Sequence, residues 1–145
     1  MSVTHHPSNN FGELFWRPAI LYPDKVVIEQ GEHSLTYQQL EQRTRQAARL
    51  FSELGISKGD KVLLLMTNDY RFVEFLFAVL RLGAIAVPLN IKLGDDSLTY
   101  IAEHSDAVML IAHYDLAGKA QVIVEHVPTL RHRLILVGAV QSFQS

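Results

Sequence analysis

Cysteine is absent from all 145 residues, so no disulfide framework staples the chain and no thiolate serves as nucleophile or metal ligand. Neither sign of charge is in excess: 13 Lys and Arg stand against 15 Asp and Glu, a formal net charge of −2. That balance provides no field strong enough to draw nucleic acid or an anionic membrane by electrostatics alone. Met1 to Asn10 lack the apolar core of a signal peptide, and a cytoplasmic location is the expectation. The most hydrophobic stretch, Phe72 to Ile91, is interrupted by Glu74, Arg81, Gly83, Pro88 and Asn90. A membrane-spanning helix needs about 20 predominantly apolar residues, so the stretch reads instead as a buried helix followed by a buried strand.

Familiar chemical signatures are missing as well. No GxGxxG follows a strand, no GxxxxGK is followed by Ser or Thr, and no GxSxG elbow occurs, so nucleotide binding or acyl transfer by those routes is excluded. Seven histidines include His5–His6 and the pair His126 and His132. The second pair flanks a Pro128 turn without convergent carboxylates or thiols, which marks surface histidines rather than a metal site. Asp95–Asp96 are adjacent, and neighbours on a helix point in different directions, so they suit a solvated first turn better than an acid–base pair.

What remains has the composition of one soluble globular domain: 48% of residues are hydrophobic and 19% charged. A chain of this length buries about two-thirds of its unfolded surface. Two periodicities alternate along it. Val26 to Ile28 begin a short strand, Gln30 to His33 supply a turn and Leu35 ends a return strand, which makes a small hairpin. Thr36 and Gln39 have capping-box spacing, and Tyr37, Leu40, Thr44, Ala47, Phe51 and Leu54 recur at helical spacing before Gly55.

Val62 to Met66 are continuously apolar, as in a strand covered on both faces. Asn68 or Asp69 caps the next helix, apolar around most of its circumference from Phe72 to Leu80, and Gly83 ends it. Strands follow at Ile85–Leu89, Val108–Ile111 and Leu134–Val137. Between them lie helices opened by Asp95 or Asp96 and by Asp115. Alternating β and α units with short connections predict an α/β fold: a doubly wound parallel sheet flanked by helices, with a small N-terminal hairpin.

Ligands of such sheets sit beyond the carboxyl ends of the strands, where strand order reverses. Three segments fall at strand ends: Thr67-Asn68-Asp69, Asn90-Ile91-Lys92 and His113-Tyr114-Asp115. Their plainer role is helix capping, since Asn and Asp accept hydrogen bonds from the unpaired amides of a first turn.

Leu35-Thr36-Tyr37-Gln38-Gln39-Leu40 resembles the first core motif of the adenylate-forming superfamily of acyl-CoA synthetases, nonribosomal-peptide adenylation domains and luciferases. Gly59-Asp60-Lys61-Val62, then Asn68, then Leu80 to Asn90 resemble the segments that come next in that superfamily, in the same order, so that the likeness runs from about Phe11 to Val137. Pro88-Leu89-Asn90-Ile91-Lys92-Leu93 looks more like the CoA ligases than the peptide synthetases. Most of these residues also have scaffold roles: Gly83 at a helix end, Pro88 at a strand end, Tyr37 and Leu40 on the core side of a helix.

The resemblance implies that 1–145 form the N-terminal portion of an AMP-binding large domain, cut before the phosphate loop. In full-length relatives, ATP with Mg²⁺ and a carboxylic acid give an acyl-adenylate, and the thiol of CoA then displaces AMP, as in fatty acid metabolism. Lys92 stands where a basic residue can meet a phosphate of CoA, although an exposed lysine needs no such role. The Ser/Thr/Gly-rich phosphate loop, the adenine and ribose motifs and the C-terminal lysine of that family have no counterpart between Met1 and Ser145. No catalytic residue, bound cofactor or metal is therefore expected of this chain alone, and it is expected to be inactive. Two other readings stay open: a non-catalytic interaction module that associates, as a homo-oligomer or with a partner, through its sheet edge, and a flavodoxin-like nucleotide binder.

Overall fold

A computed structural model describes residues 10–136. The N-terminal hairpin pairs β1 (Val26–Gln30) with β2 (His33–Thr36), and its turn is shorter than expected, because Gln30 and His33 already pair and only Gly31 and Glu32 link the strands. Gly31 has φ 58, a left-handed conformation in which a side chain is unfavourable. Before the hairpin stand two elements that the periodicity did not reveal, a 3₁₀ turn (Phe11–Glu13) and a short helix α1 (Trp16–Leu21). Pro18 sits in the first turn of α1, where its missing N–H costs nothing.

The long helix α2 (Tyr37–Glu53) begins at the capping box: Thr36 Oγ1 accepts from the Gln39 amide at 3.2 Å and Gln39 Oε1 from the Thr36 amide at 2.9 Å. The main sheet follows as β3 (Lys61–Leu65), β4 (Ile85–Pro88), β5 (Met109–His113) and β6 (His132–Leu136), all parallel, in the order β4-β3-β5-β6. Strand bounds differ from the expectation by one or two residues, and Val137 lies outside the described residues. Helices α3 (Tyr70–Arg81), α4 (Asp95–Ser105) and α5 (Ala117–His126) connect the strands. Gly83, just past α3, has φ 70 as its helix-ending role requires.

Strand alternation divides the core in two. Val62, Leu64, Met66, Met109 and Ile111 face α2 and α3, where Phe51 and Phe75 are fully buried; their rings lie 5.8 Å apart. Leu63, Leu65, Leu110 and Ala112 face α4 and α5, against Leu98, Ala102, Ala120 and Ile123. With both faces covered, continuous apolar runs at β3 and β5 are what burial on two sides demands. The architecture is doubly wound, since the chain leaves β3 for β4 on one side, then crosses back past β3 to place β5 on the other. No helix among the described residues is long and apolar enough to cross a membrane.

One helix start departs from the sequence reading. Asp115 does not open α5; it lies exposed in a 3₁₀ turn (Tyr114–Leu116), and α5 begins at Ala117 with no side-chain cap. The sharp exit of the chain from β5 uses the tighter turn before the helix can form.

Candidate functional site

The reversal of strand order between β3 and β5 leaves a crevice at their carboxyl ends, a pocket of about 230 Å³ lined by Thr67, Asp69, Arg71, His113, Tyr114, Asp115 and Leu136. Two of the three strand-end segments thus meet in one place. The third does not join them. Asn90 Oδ1 accepts from the Lys92 amide at 3.0 Å, closing a tight turn after β4, and Lys92 is exposed and outside the pocket lining.

Asp69 rather than Asn68 caps α3, because its Oδ1 accepts from the Arg71 amide at 2.8 Å while Asn68 is exposed. The same carboxylate holds the Arg71 guanidinium at two points, Nε to Oδ1 at 2.9 Å and Nη2 to Oδ2 at 2.8 Å. Burial pushes the Asp69 carboxyl up, but hydrogen bonds and charge from Arg71 outweigh it and leave the group below its ordinary value.

His113 ends β5 and is 5% exposed. Its Nδ1 accepts from the Thr67 amide at 3.0 Å and lies 2.8 Å from Thr67 Oγ1. An amide N–H can only donate, so Nδ1 carries the lone pair and the neutral ring holds its proton on Nε2. Nε2 faces Asp69 Oδ2 at 3.5 Å and Arg71 Nη2 at the same distance. Burial lowers the His113 pKa, with Arg71 adding to the effect and Asp69 and Asp115 opposing it.

Behind the crevice a charged chain continues into the α2–α3 face. Arg43 of α2 forms a two-point pair with Glu74 of α3, through Nε to Oε1 and Nη2 to Oε2, the latter at 3.2 Å. Glu74 is 2% exposed, and burial raises its pKa despite Arg43. Two guanidiniums approach the Tyr70 ring, Arg43 at 5.7 Å and Arg71 at 5.9 Å, and the Tyr70 amide donates to Gln30 Oε1 at 2.7 Å. The hairpin, α2, α3 and the end of β5 are therefore joined by one polar network. Sequence reasoning saw Glu74 only as an interruption of an apolar run and missed Arg43 and Arg71. The one available signal was the presence of ionic residues in a helix apolar around most of its circumference, since buried charges need partners.

A larger groove of about 550 Å³ runs between α1 and α2, lined by Trp16, Ile20, Gln42, Arg45 and Arg49 among others. Its arginines are committed along α2, Arg45 to Glu41 at 2.9 Å and Arg49 to Glu53 at 3.1 Å. Convergent buried polar groups mark the crevice instead. The crevice does not fit a nucleoside triphosphate. Asp69 and Asp115 present carboxylates, and the Arg71 guanidinium is held by Asp69. Among the described residues no group of three or more His, Asp or Glu is placed to hold a metal ion. His126 caps its own helix, with Nδ1 2.8 Å from the Val122 carbonyl oxygen, and His5 and His6 lie outside the described residues.

Comparison with known proteins supplies the family. The chain is 29% identical over 127 residues to a medium/long-chain-fatty-acid–CoA/3-oxocholest-4-en-26-oate–CoA ligase of Mycobacterium marinum, covering 88% of this chain and 23% of the relative. It is 30% identical over 138 residues to a 2,3-dihydroxybenzoate-AMP ligase of Bacillus subtilis, covering 92% of this chain and 25% of that one. Among solved structures, a Mycobacterium tuberculosis fatty acyl CoA synthetase matches with a TM-score of 0.83 at 26% identity, over 88% of this chain and 26% of its own. The chain thus spans about a quarter of the length of the curated relatives it matches. Residues 15–143 match the family described as AMP-binding enzyme, and the chain belongs to that family.

Proposed function

We propose that this chain supplies the N-terminal portion of an acid–CoA ligase whose whole activates a carboxylic acid with ATP and passes the acyl group to CoA. The observation that carries the reading is the family match over residues 15–143, together with relatives that the chain spans for only about a quarter of their length. Relatives named as CoA ligases and one named as an AMP ligase share the adenylate-forming step, and the Pro88 to Leu93 ending favours the CoA branch. ATP and CoA are substrates of the whole enzyme, and Mg²⁺ is its metal cofactor. The described residues offer no phosphate cradle of their own, so the chain by itself does not adenylate an acid. Positioned donors and a metal ion are what stabilise charge in such a reaction, and without them most of the acceleration is lost.

The chain's own residues contribute scaffold: β3 and β5 place a crevice at their carboxyl ends, and α2 and α3 brace it. Lys92, exposed on the turn after β4, is the residue of this chain that we propose meets a phosphate of CoA. The test is an ATP–pyrophosphate exchange assay on the purified chain and on a chimera in which it replaces the corresponding quarter of a CoA ligase. The chain alone gives no exchange above background, and the chimera gives acid-dependent exchange and CoA thioester. Exchange by the isolated chain overturns the inactivity, and a folded but inert chimera overturns the ligase reading. In the active chimera Lys92→Ala raises the KM for CoA several-fold and leaves exchange unchanged; an unmoved KM removes Lys92 from that role.

A further inference from the structure

The buried histidine at the crevice accepts a backbone hydrogen bond that only an unprotonated Nδ1 can receive. His113 Nδ1 receives the Thr67 amide proton at 3.0 Å, and Thr67 lies two residues past the end of β3. With the Thr67 hydroxyl, whose Oγ1 lies 2.8 Å from the same nitrogen, that bond ties the β3–α3 connection to the carboxyl end of β5, across the place where strand order reverses. A proton on Nδ1 sets the ring and the Thr67 amide head to head and turns the Thr67 hydroxyl oxygen into the acceptor, so the amide bond cannot survive it without rotation of the ring or movement of the connection. Rotation is opposed by the surroundings, since the ring is 5% exposed and its far nitrogen is confined by Asp69 and Arg71, each 3.5 Å away.

We propose that His113 is a proton-operated latch on the crevice: the neutral ring fastens the Thr67 amide to the end of β5, and a proton on Nδ1 frees that amide and shifts the connection 67–69 onto the weaker hold of the Thr67 hydroxyl. Release reaches the start of α3, because Asp69 in that connection caps the helix and grips Arg71. An imidazolium beside Asp69 also competes with Arg71 for the carboxylate. The charged groups facing the ring are Asp69 and Arg71 from the α3 start and Asp115 from the turn after β5, while β6 contributes the apolar Leu136. The carboxylates favour the proton; burial and Arg71 resist it, and resistance prevails. The folded protein therefore prefers the neutral ring, so the latch is fully set at pH 6.5 and above and opens only as pH falls through the ring's own pKa, which lies below that ordinary value. The latch concerns the geometry of this chain alone and does not rest on the ligase reading.

The test is NMR on the uniformly ¹⁵N-labelled chain between pH 8 and pH 5. At pH 8 the ring nitrogens report the Nε2–H tautomer. As pH falls, the Thr67 amide shifts with the same midpoint as the His113 ring, and its hydrogen exchange, corrected for intrinsic rates, accelerates by about tenfold or more. An Nδ1–H tautomer at pH 8 overturns the proposal, as does a ring that takes up no proton down to pH 5, or a Thr67 amide that stays still while the ring takes up its proton. His113→Asn places a carbonyl oxygen near the position of Nδ1 and does not titrate. In that variant the Thr67 amide holds one position across the range; a Thr67 titration that persists there assigns the movement to another group and overturns the latch. If the variant does not fold, the wild-type tautomer and the matching midpoints still decide.

Discussion

Replacing Arg43 by Ala strips the partner from a carboxylate that has almost no access to water. The Glu74 side chain is 3% exposed, and both its oxygens are hydrogen-bonded by Arg43. Removing one member of a buried pair costs about 3–5 kcal/mol, because the other charge stays behind uncompensated. Glu74 has one escape, which is to take up a proton. From an ordinary value of 4.5, neutralising it at pH 7 costs about 3.4 kcal/mol, at 1.36 kcal/mol for each pH unit. Burial already raises the Glu74 carboxyl in the wild type, so that figure is the ceiling on the loss between the two proteins at pH 7, and the loss carries a pH dependence. The folded variant holds a proton that the unfolded chain releases, so the stability that proton gives is present below about pH 4.5 and is lost as pH rises. The deficit relative to wild type therefore shrinks on acidification, by up to about 1.4 kcal/mol per unit over the range in which the wild-type carboxylate stays ionised. Taking the difference between the proteins cancels His113, which titrates in both. Urea unfolding followed by circular dichroism at pH 7, 6 and 5 measures it. A loss under about 1 kcal/mol at pH 7, or a deficit that does not narrow, refutes the reasoning. A double replacement, Arg43→Met with Glu74→Leu, should recover most of the loss, since removing both charges removes the desolvation cost.

Gly12→Ala should detach the N-terminal 3₁₀ turn from α3, because an added Cβ would stand 2.2 Å from the Arg81 backbone nitrogen and 2.5 Å from its Cα. The Phe15–Phe77 ring contact at 4.5 Å should loosen with it, read as a loss of near-ultraviolet circular dichroism while the far-ultraviolet signal stays; an unchanged near-ultraviolet spectrum counts against the docking. Thr36→Ala removes the hydroxyl of the α2 capping box and should cost about 1 kcal/mol in urea unfolding, with a change under about 0.3 kcal/mol showing that the box contributes little. Asp106 ends α4 in the left-handed region at φ 54, so Asp106→Gly should stabilise the fold by about 0.5–1 kcal/mol, and a fall in the unfolding midpoint contradicts this.

The elements were legible wherever burial imposed a period. Val62 to Leu65 are buried on both faces and announce a strand; Leu40, Thr44, Ala47 and Phe51 mark one stripe of α2; Thr36, Asp69 and Gly83 punctuate helix ends through local hydrogen bonding and backbone geometry. Two of the three strand-end segments were legible too, because in a doubly wound sheet topology alone brings the ends of β3 and β5 together. What stayed hidden depends on three-dimensional neighbours. Arg43 and Glu74 are 31 residues apart and meet only because α2 lies along α3, and Thr67 and His113 are 46 apart. Asp115 has the residue type of a cap, yet the turn leaving β5 places it one turn too early. The helix α1 carries Pro18 and has only six residues, too few for a period to stand out.

The distribution of polarity explains why the crevice sits where it does. The face of the sheet covered by α4 and α5 is specified by apolar packing, with Leu63, Leu65, Leu98, Leu110 and Ile123 at its centre. The buried polar residues are Glu41 and Thr44 on α2, Arg71 and Glu74 on α3, and His113 at the end of β5. Packing tolerates small slides of one apolar surface over another, whereas a two-point ion pair or a helix cap accepts one arrangement. Glu41 binds Arg81 at 2.7 Å near the end of α3, Glu74 binds Arg43 in its middle, and Asp69 holds Arg71 at its start. Helix α3 is thus pinned against α2 in its middle and near its end, and its first turn, held by its own Asp69–Arg71 pair, is set in register with the end of β5. Since α3 carries Asp69 and Arg71 into the crevice, the ionic face determines the shape of the site, and the apolar face holds up the sheet on which that site stands.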